Sequence, residues 1–338
     1  MLHEKDLFMR HCRQIQLPIP ETYSVESADQ TLDILRVAAA SNPNHRFILK
    51  TVGVDDAHRG DMSLLPLGSD EETARHVTRL PISRHNPWIL QRYIAGNEEF
   101  CTHAVVMKGD VKVFVACQSA ELLMHYRALP AEDDMTRTML HFTREFLKRS
   151  PGVEDWTGHL SFDFMAEKVA TGNGQTRRLY AIECNPRAHT AVVLFAQRGR
   201  EMRDMVQAYL SALDGETFPK TNGVSDAPIP ESNNLSAVYP PADALPRYWI
   251  GHDLVTLWLL PTYKLFIREQ EPSKYLRVVL ELLKHILWWK DGTFEIWDPL
   301  PFMHLYHTYW AGTLWNAWMQ GINWSRLNVS TTKMFLCD

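Results

Sequence analysis

Two neighbouring strand-like segments constrain the fold of this chain most strongly. HLSFDFM, at residues 159–165, and LYAIECN, at residues 179–185, are rich in apolar residues and flank a Gly-Asn-Gly turn signal at 172–174. Segments of this length on either side of a short turn pair with each other. The sequence therefore predicts an antiparallel hairpin.

The second segment ends in the polar stretch IECNPR. Glu183 and Asn185 are two residues apart, so on a strand they point to the same face. Pro186 cannot donate to a strand ladder and is predicted to end the strand, which leaves Arg187 at its mouth. Two oxygen ligands beside a guanidinium are the groups that bind a divalent cation together with a phosphate.

The register of the hairpin decides whether Asp163 joins this group. Asp163 and Glu183 are equally distant from Asn173, so a three-residue loop would place them directly opposite each other. A two-residue turn at Asn173-Gly174 would instead oppose Asp163 to Cys184 and scatter the oxygen ligands. The sequence allows both loops.

The first register gives a candidate metal site. It brings Asp163, Glu183 and Asn185 to one face, and ligation by oxygen alone favours Mg²⁺ or Mn²⁺ over zinc. In the alternative interpretation, the two carboxylates simply pair with arginines such as Arg177 or Arg178.

Other phosphate and hydrolase motifs are absent. The sequence has no G-x-x-x-x-G-K-[ST] and no G-x-G-x-x-G, while Lys50 closes the strand-like RFILK and precedes Gly53 and Gly60, which fits a flexible loop over phosphates. His159 and Ser161 share the predicted face of Asp163. A hydrolase is disfavoured, because groups along one strand do not easily form a relay and no G-x-S-x-G accompanies them.

The remaining pattern predicts an α+β chain in three parts. We expect a first domain over residues 1–213, a linker or loop rich in Pro, Asn, Ser and Asp over 214–246, and a helical, aromatic-rich region over 247–338 packed on the first domain. Within the first domain, helices are predicted at 4–15, 33–40, 69–80 and 135–146, and strands at 46–50, 88–94, 100–107 and 111–116.

Net charge, cysteine content and apolar runs limit the partners and the cellular compartment that we expect for the chain. The net charge of -5 gives no electrostatic reason to expect nucleic acid as a partner. The longest apolar run, residues 254–260, is too short to span a bilayer, and the first residues do not form a signal peptide. Five widely spread cysteines fit a reducing compartment, so we expect a cytoplasmic protein.

The order of these segments resembles the ATP-grasp ligases. The likeness runs through the opening helix and LPIP, RFILK with its following loop, WILQRYIAGNEEF, SFDFM and IECNPR, in the family's order over roughly the first two thirds of the chain. It implies an ATP-grasp fold of antiparallel sheets with flanking helices, with ATP and Mg²⁺ or Mn²⁺ as cofactors.

The resemblance also implies roles for individual residues. Lys50 would touch the nucleotide phosphates, Glu99 would meet the ribose, and Arg187 would meet the transferred phosphate as the catalytic candidate. The implied adenine hinge consists of Gln91, Arg92, Tyr93 and Ile94, and the implied metal ligands are Asp163, Glu183 and Asn185.

Two longer stretches, IECNPRAHTAVVLF and DGTFEIWDPLPFMHLYHTYW, look like the branch that contains mycosporine-glycine synthases and is related to carbamoyl-phosphate-synthase-like proteins. This implies a ligase that joins an amine, such as an amino acid, to an acid or enol acceptor through a phosphorylated intermediate. Members normally carry a further N-terminal α/β domain. We expect that domain to be absent here, because the chain begins at the helix that precedes the nucleotide domain.

Three further interpretations remain open. The chain could be an inactive or truncated ATP-binding module. The C-terminal tryptophans could form a partner or membrane-surface patch, although an aromatic core is favoured. Polar residues of the same region could line an acceptor pocket, although a structural role is favoured: His252, Asp298, His304 and His307.

Overall fold

Antiparallel sheets with flanking helices make up the fold, which confirms the predicted α+β class. The computed structural model describes residues 2–53, 61–96, 98–119, 124–171, 174–196, 199–213, 237–329 and 332–336. The loop predicted after Lys50 lies largely outside the described residues, as does most of the predicted linker at 214–246.

The strands of the first part of the chain form a three-stranded sheet, in the order β1-β3-β2, and a four-stranded sheet, in the order β5-β4-β6-β7. Two-stranded pairs, β8-β9 and β10-β11, lie in the C-terminal region. The strands are β1 (Thr22–Val25), β2 (Phe47–Thr51), β3 (Trp88–Arg92), β4 (Glu98–Met107), β5 (Asp110–Ser119), β6 (Gly158–Thr171), β7 (Gly174–Asn185), β8 (Arg247–Tyr248), β9 (Lys290–Asp291), β10 (Trp324–Asn328) and β11 (Lys333–Leu336).

The predicted helices are present, and side chains cap the N-termini of two of them. The Ser69 side chain accepts from the Glu72 backbone N–H at 3.1 Å, and Asp133 caps the fourth helix. The helices are α1 (Lys5–Gln14), α2 (Ala28–Ser41), α3 (Asp70–Arg79), α4 (Asp134–Arg149), α5 (Arg200–Leu210), α6 (Ile250–Asp253), α7 (Leu260–Phe266), α8 (Pro272–Trp288), α9 (Leu300–Met303) and α10 (Trp310–Met319). Short 3-10 turns cover Val153–Asp155 and Thr190–Phe195, and π-helical stretches, Leu254–Leu259 and His304–Tyr309, join α6 to α7 and α9 to α10.

The four-stranded sheet is packed on both faces because its strands carry apolar side chains on both faces. One face, with Phe162 and Phe164, packs against Phe8 of α1 and Phe146 of α4. The other face packs against the 3-10 turn through Phe195 and against α5. The three-stranded sheet has its own core beneath α2 and α3.

The hairpin of β6 and β7 opposes Asp163 to Glu183, but by a route that the sequence analysis missed. Thr171 pairs with Gly174, so the loop is shorter than the three-residue loop that this register was expected to need. A β-bulge between Asp163 and Phe164 shifts the register, since Phe164 pairs with Ala181 and Asp163 with Glu183.

The bulge also determines which side chains of β7 point into the core. Leu179, Ala181 and Cys184 all enter the same core, although 181 and 184 are three residues apart. In an unbroken strand, Glu183 would share the buried face of Leu179 and Ala181. The extra residue, Ile182, therefore moves Glu183 out of the core.

The segment LPIP supports the bulge. The Ala181 N–H donates to the Pro18 carbonyl at 3.1 Å, which gives this strand N–H a partner outside the sheet. The strand then ends at Asn185, directly before Pro186, as predicted.

The hairpin of β4 and β5 matches the prediction closely. Its turn places Lys108 at φ 49° and Gly109 at φ 80°, the left-handed region that tight hairpin turns require. A Cβ on Gly109 would lie 2.6 Å from the Val153 carbonyl oxygen, so both the angle and the space demand glycine.

The C-terminal region is less buried than predicted. The polar residues Lys274, Arg277, Glu281 and Lys284 form a narrow stripe on an otherwise apolar segment, a pattern that predicts a mostly buried helix. In α8, however, Leu282 and His285 are the buried residues, and Leu276, Leu280 and Leu287 are exposed. The aromatic core is also smaller than expected: Trp249 and Trp310 are buried in it, whereas the exposed tryptophans of the region include Trp258, Trp288, Trp297, Trp315 and Trp318. Within the described residues, no helix has both the length and the apolar character to cross a membrane.

Candidate functional site

A cavity of about 860 Å³ is bordered by side chains from both main sheets and from the C-terminal region. Ile48, Met165 and Ile182 give it apolar walls, and Ser119 lies beside its polar part. All the residues of the expected nucleotide site line it: Lys50, Gln91, Arg92, Tyr93, Ile94 and Glu99. Strands distant in sequence therefore bring together the nucleotide-contacting part of the implied set. The implied metal ligands Asp163, Glu183 and Asn185 do not line the cavity, although their neighbours Met165 and Ile182 do.

Lys50 lies on β2, and its Nζ donates to Gln91 Oε1 at 2.9 Å. Burial lowers the pKa of Lys50 to about 8. Attraction to Glu183 and Glu99 raises the pKa, while the nearby Lys5 lowers it. The amine thus borders the cavity, hydrogen-bonded to Gln91 and in the field of Glu183 and Glu99, with less water around it than a surface lysine has.

The expected hinge consists of the end of β3 and the residues that follow. The Arg92 N–H donates to the Glu21 carbonyl at 2.7 Å, and the Tyr93 N–H donates to the Arg46 carbonyl at 2.7 Å. Within the described residues, the Ile94 N–H donates no backbone hydrogen bond, although the side chain is buried against the cavity.

Two of the hinge side chains have structural partners. Gln91 is buried, and its amide also donates to Thr22 Oγ1 at 3.1 Å. Arg92 forms two hydrogen bonds to Glu167, at 3.0 and 3.1 Å, which is the fork geometry of a strong ion pair. These hydrogen bonds hold the side chains of Gln91 and Arg92 in place.

Glu99, on β4, completes the polar part of the cavity. Its Oε1 accepts from Ser119 Oγ at 3.1 Å, across the β4-β5 pair. Both side chains line the cavity. This provides hydrogen-bonding groups suited to hydroxyls in the cavity that Lys50 and the hinge also line.

The three oxygen-bearing residues lie together at one end of the β6-β7 hairpin. Asn185 Nδ2 donates to Asp163 Oδ2 at 3.2 Å, and Glu183 is the strand partner of Asp163. Glu183 Oε1 lies 4.0 Å from Lys5 Nζ of α1. Asp163 and Glu183 are half-buried and Asn185 is buried, so the group is partly shielded from water.

The alternative partners proposed for these carboxylates lie elsewhere. Arg177 Nη1 lies 3.6 Å from Glu98, and Arg178 is opposite Glu167 in the strand pair. The hydrolase alternative also fails on geometry, because Ser161 Oγ donates to the Thr102 carbonyl at 2.6 Å rather than to a histidine.

Arg187 is exposed at the end of β7 and does not line the cavity. Its Nη1 donates to the Ala188 carbonyl at 3.3 Å, and its N–H donates to the Asn185 carbonyl at 2.8 Å. Arg187 thus follows the oxygen cluster closely in the sequence, but its side chain does not line the cavity.

The sequence analysis missed Lys5 and a histidine-aspartate cluster, His125, Asp253 and His285. The cluster borders the same cavity through its two histidines. Its members are separated by more than thirty residues along the chain, so no local spacing signals it. The four C-terminal residues that were considered for an acceptor pocket, His252, Asp298, His304 and His307, do not line the cavity.

No protein-family model matches the chain, and no curated protein matches it. Solved structures do match. N5-carboxyaminoimidazole synthetase from Staphylococcus aureus, complexed with ADP, is 15% identical over 64% of this chain and 52% of that chain, with a TM-score of 0.44. Carboxyaminoimidazole ribonucleotide synthase from Aspergillus clavatus, complexed with ATP, is 13% identical over 72% of this chain and 55% of that chain, with a TM-score of 0.46.

D-cycloserine synthetase is 18% identical over 63% of this chain and 70% of that chain, with a TM-score of 0.44. This chain thus spans about half the length of the two carboxyaminoimidazole enzymes. At these identities and TM-scores, the likenesses assign neither a family nor an activity to the chain.

Proposed function

We propose that the cavity binds ATP and that the chain is an ATP-grasp ligase that joins an amine to an acid or enol acceptor. The observation that carries the proposal is the convergence of Lys50, the hinge at 91–94 and Glu99 on one cavity, next to the oxygen cluster of the β6-β7 hairpin. The acceptor chemistry of the mycosporine-glycine synthase-like branch stays a prediction from the sequence.

In this proposal the adenine lies between the apolar side chains of Ile48, Ile94 and Met165. The Ile94 N–H, which has no backbone acceptor within the described residues, donates to a ring nitrogen. Glu99 accepts from a ribose hydroxyl, and Lys50 donates to phosphate oxygens. Gln91 keeps the Lys50 amine aimed at the cavity through the hydrogen bond to its side chain.

The oxygen cluster fits a hard divalent cation. Asp163, Glu183 and Asn185 supply oxygen donors, and the Asn185 amide that donates to Asp163 leaves the Asn185 carbonyl oxygen available. These three residues would hold Mg²⁺, or Mn²⁺, which would neutralise charge on the nucleotide phosphates. Lys5 sits beside Glu183 and offsets part of its charge.

The residues of the chain act by positioning. Phosphoryl transfer to an acceptor oxygen requires no protein nucleophile, so Lys50 and the oxygen cluster need only orient the phosphates and compensate their charge. Arg187, exposed beside Asn185, would meet the transferred phosphate by turning toward the cluster. The amine then displaces the phosphate from the activated acceptor.

The test is amine-dependent release of ADP from ATP in the presence of Mg²⁺, over a panel of acid and enol acceptors. Binding of ATP is measured in parallel by calorimetry. Lys50→Met should weaken ATP binding by about 10- to 150-fold, the loss of a hydrogen bond to a charged group. Asp163→Asn should raise the Mg²⁺ concentration that ATP binding requires. The matched control is Lys148→Met, an exposed residue of α4.

Two outcomes separate the candidates. ATP binding without ADP formation across the panel would favour the inactive ATP-binding module, which the exposed position of Arg187 supports. Absence of ATP binding by the wild-type chain would end both interpretations.

A further inference from the structure

His125, Asp253 and His285 meet at the end of the cavity that faces the C-terminal region. His125 Nε2 lies 2.7 Å from Asp253 Oδ1, and His285 Nδ1 lies 2.7 Å from Asp253 Oδ2. The three ligand-type atoms all lie within 4.8 Å of one another. The two rings meet edge to face, with centroids 4.5 Å apart and an interplanar angle of 70°, and one nitrogen of each contacts the same carboxylate.

The charge of Asp253 requires compensation. Its side chain is completely buried, and isolated burial of a carboxylate carries a large desolvation penalty. The groups that contact both of its oxygens are imidazoles, and a neutral imidazole donates a hydrogen bond without cancelling the negative charge. A cation at this point would cancel it.

The second nitrogen of His285 supports a cation independently. His285 Nε2 lies 3.3 Å from Glu281 Oε1, one helical turn earlier on α8. A histidine that ligates a metal through one nitrogen usually donates its other N–H to a carboxylate, which fixes the tautomer and the ring orientation. The Glu281 carboxylate lies at ion-pair distance from this nitrogen without forming a hydrogen bond to it, and its Oε1 accepts from Lys284 at 3.1 Å.

We propose that His125 Nε2, a carboxylate oxygen of Asp253 and His285 Nδ1 bind one zinc-type divalent cation. Two imidazoles with one carboxylate suit zinc, whereas Mg²⁺ prefers oxygen ligands alone. Ligand atoms in a tetrahedral zinc site lie about 3.3 Å apart, so the ligands separate by about 0.6 Å when the ion replaces the protons they now share.

The cavity is the side from which a further ligand would reach the ion. His125 and His285 line it, so water or an anionic oxygen of a small molecule can reach the ion there. The ion also ties together three separate parts of the chain: the segment after β5, the end of α6 and the helix α8. This site is independent of the proposed ATP site, from which it differs in ligands and in metal class.

Metal content tests the proposal directly. The full chain, without an affinity tag that binds metal, is stripped with a chelator and equilibrated with Zn²⁺ in the presence of excess Mg²⁺. We expect one equivalent of zinc to remain on the wild type. Asp253→Asn and His285→Gln should lose it, and Glu281→Gln should weaken zinc binding by about 10- to 100-fold. The control is His307→Gln, an exposed histidine of the same region, which should bind like the wild type.

A second readout needs no variant. Co²⁺ bound by the wild type should give the intense visible absorption of a tetrahedral site, and Zn²⁺ should displace it. The proposal is overturned if the wild type binds no zinc at micromolar concentration, if His285→Gln binds as much zinc as His307→Gln, or if Co²⁺ shows only the weak spectrum of an aqueous ion. Lys50→Met should leave zinc binding unchanged, which separates this result from the test of ATP binding.

Discussion

Lys50 carries a protonation equilibrium that can be measured without any ligand. Burial lowers its pKa from the ordinary 10.5 to about 8, so between these values the unfolded chain binds more protons than the folded chain. The contribution of Lys50 to the free energy of unfolding therefore becomes more favourable as the pH rises from about 8 toward 10.5.

Lys50→Met should remove this dependence. The difference in unfolding free energy between wild type and variant, measured by urea denaturation at several pH values from 7.5 to about 10, should shift in favour of the wild type as the pH increases. Lys148→Met, at an exposed position, should show no such trend. A constant difference for Lys50→Met would mean that the amine is not desolvated.

Individual residues also show how far the sequence could lead. The polar end of β7 could be recognised in the sequence, because Glu183 and Asn185 interrupt an apolar strand directly before a proline. Lys5 could not be recognised in this way, since a lysine in an amphipathic helix is ordinarily solvated. Its position near Glu183 depends on how α1 packs on the sheet. The cluster around Asp253 depends in the same way on packing between distant segments.

At the scale of single elements, a glycine of the β4-β5 turn and a glycine of α10 give opposite expectations. Gly109→Ala places a side chain at φ 80° and 2.6 Å from the Val153 carbonyl oxygen, so it should lower the free energy of unfolding by about 1–3 kcal/mol. Gly312→Ala, on α10 with nothing within 4 Å of the added Cβ, should raise it by up to about 1 kcal/mol.

Urea denaturation of the two alanine variants beside the wild type measures both effects. Equal destabilisation by the two substitutions would show that neither backbone conformation nor the Val153 contact governs the turn.

Elements also show why the register was only half predictable. The sequence indicated the two strands and the opposed carboxylates, and both are present. The sequence is compatible with both loops, but the opposed register was expected to need the three-residue loop, and this was wrong. The chain reaches that register with a shorter turn and a bulge at Ile182, which the sequence did not signal. The cue was energetic: an unbroken strand would have buried Glu183 beside Ala181.

At the scale of the whole molecule, the C-terminal helices expose a large apolar surface. Trp288, Trp315 and Trp318 are 64%, 60% and 70% exposed. The rings of Trp315 and Trp318 contact each other, with centroids 5.1 Å apart, and large exposed apolar patches are unusual on soluble monomers. The expectation of an aromatic core failed here because composition shows how many tryptophans a segment has, and not which of them find a packing partner.

This surface should bind a fluorescent apolar dye in the folded state. Replacing Trp288, Trp315 and Trp318 together with serine should reduce the dye fluorescence strongly and leave the thermal unfolding temperature nearly unchanged, because exposed side chains make few contacts. A comparison is Val37→Ser on α2, an isolated exposed apolar residue, which should have little effect on the dye. Undiminished fluorescence in the triple variant would place the dye elsewhere.

The single extra residue, Ile182, divides β7 into a part that packs in the core and a part that carries the polar cluster. Leu179 and Ala181 belong to the hydrocarbon interior, and two residues further on the side chains belong to the polar cluster. Mutations upstream of Ile182 can thus tune how firmly the sheet holds together while the carboxylates stay where they are. In this strand, substitutions can therefore alter the stability of the sheet without altering the polar cluster.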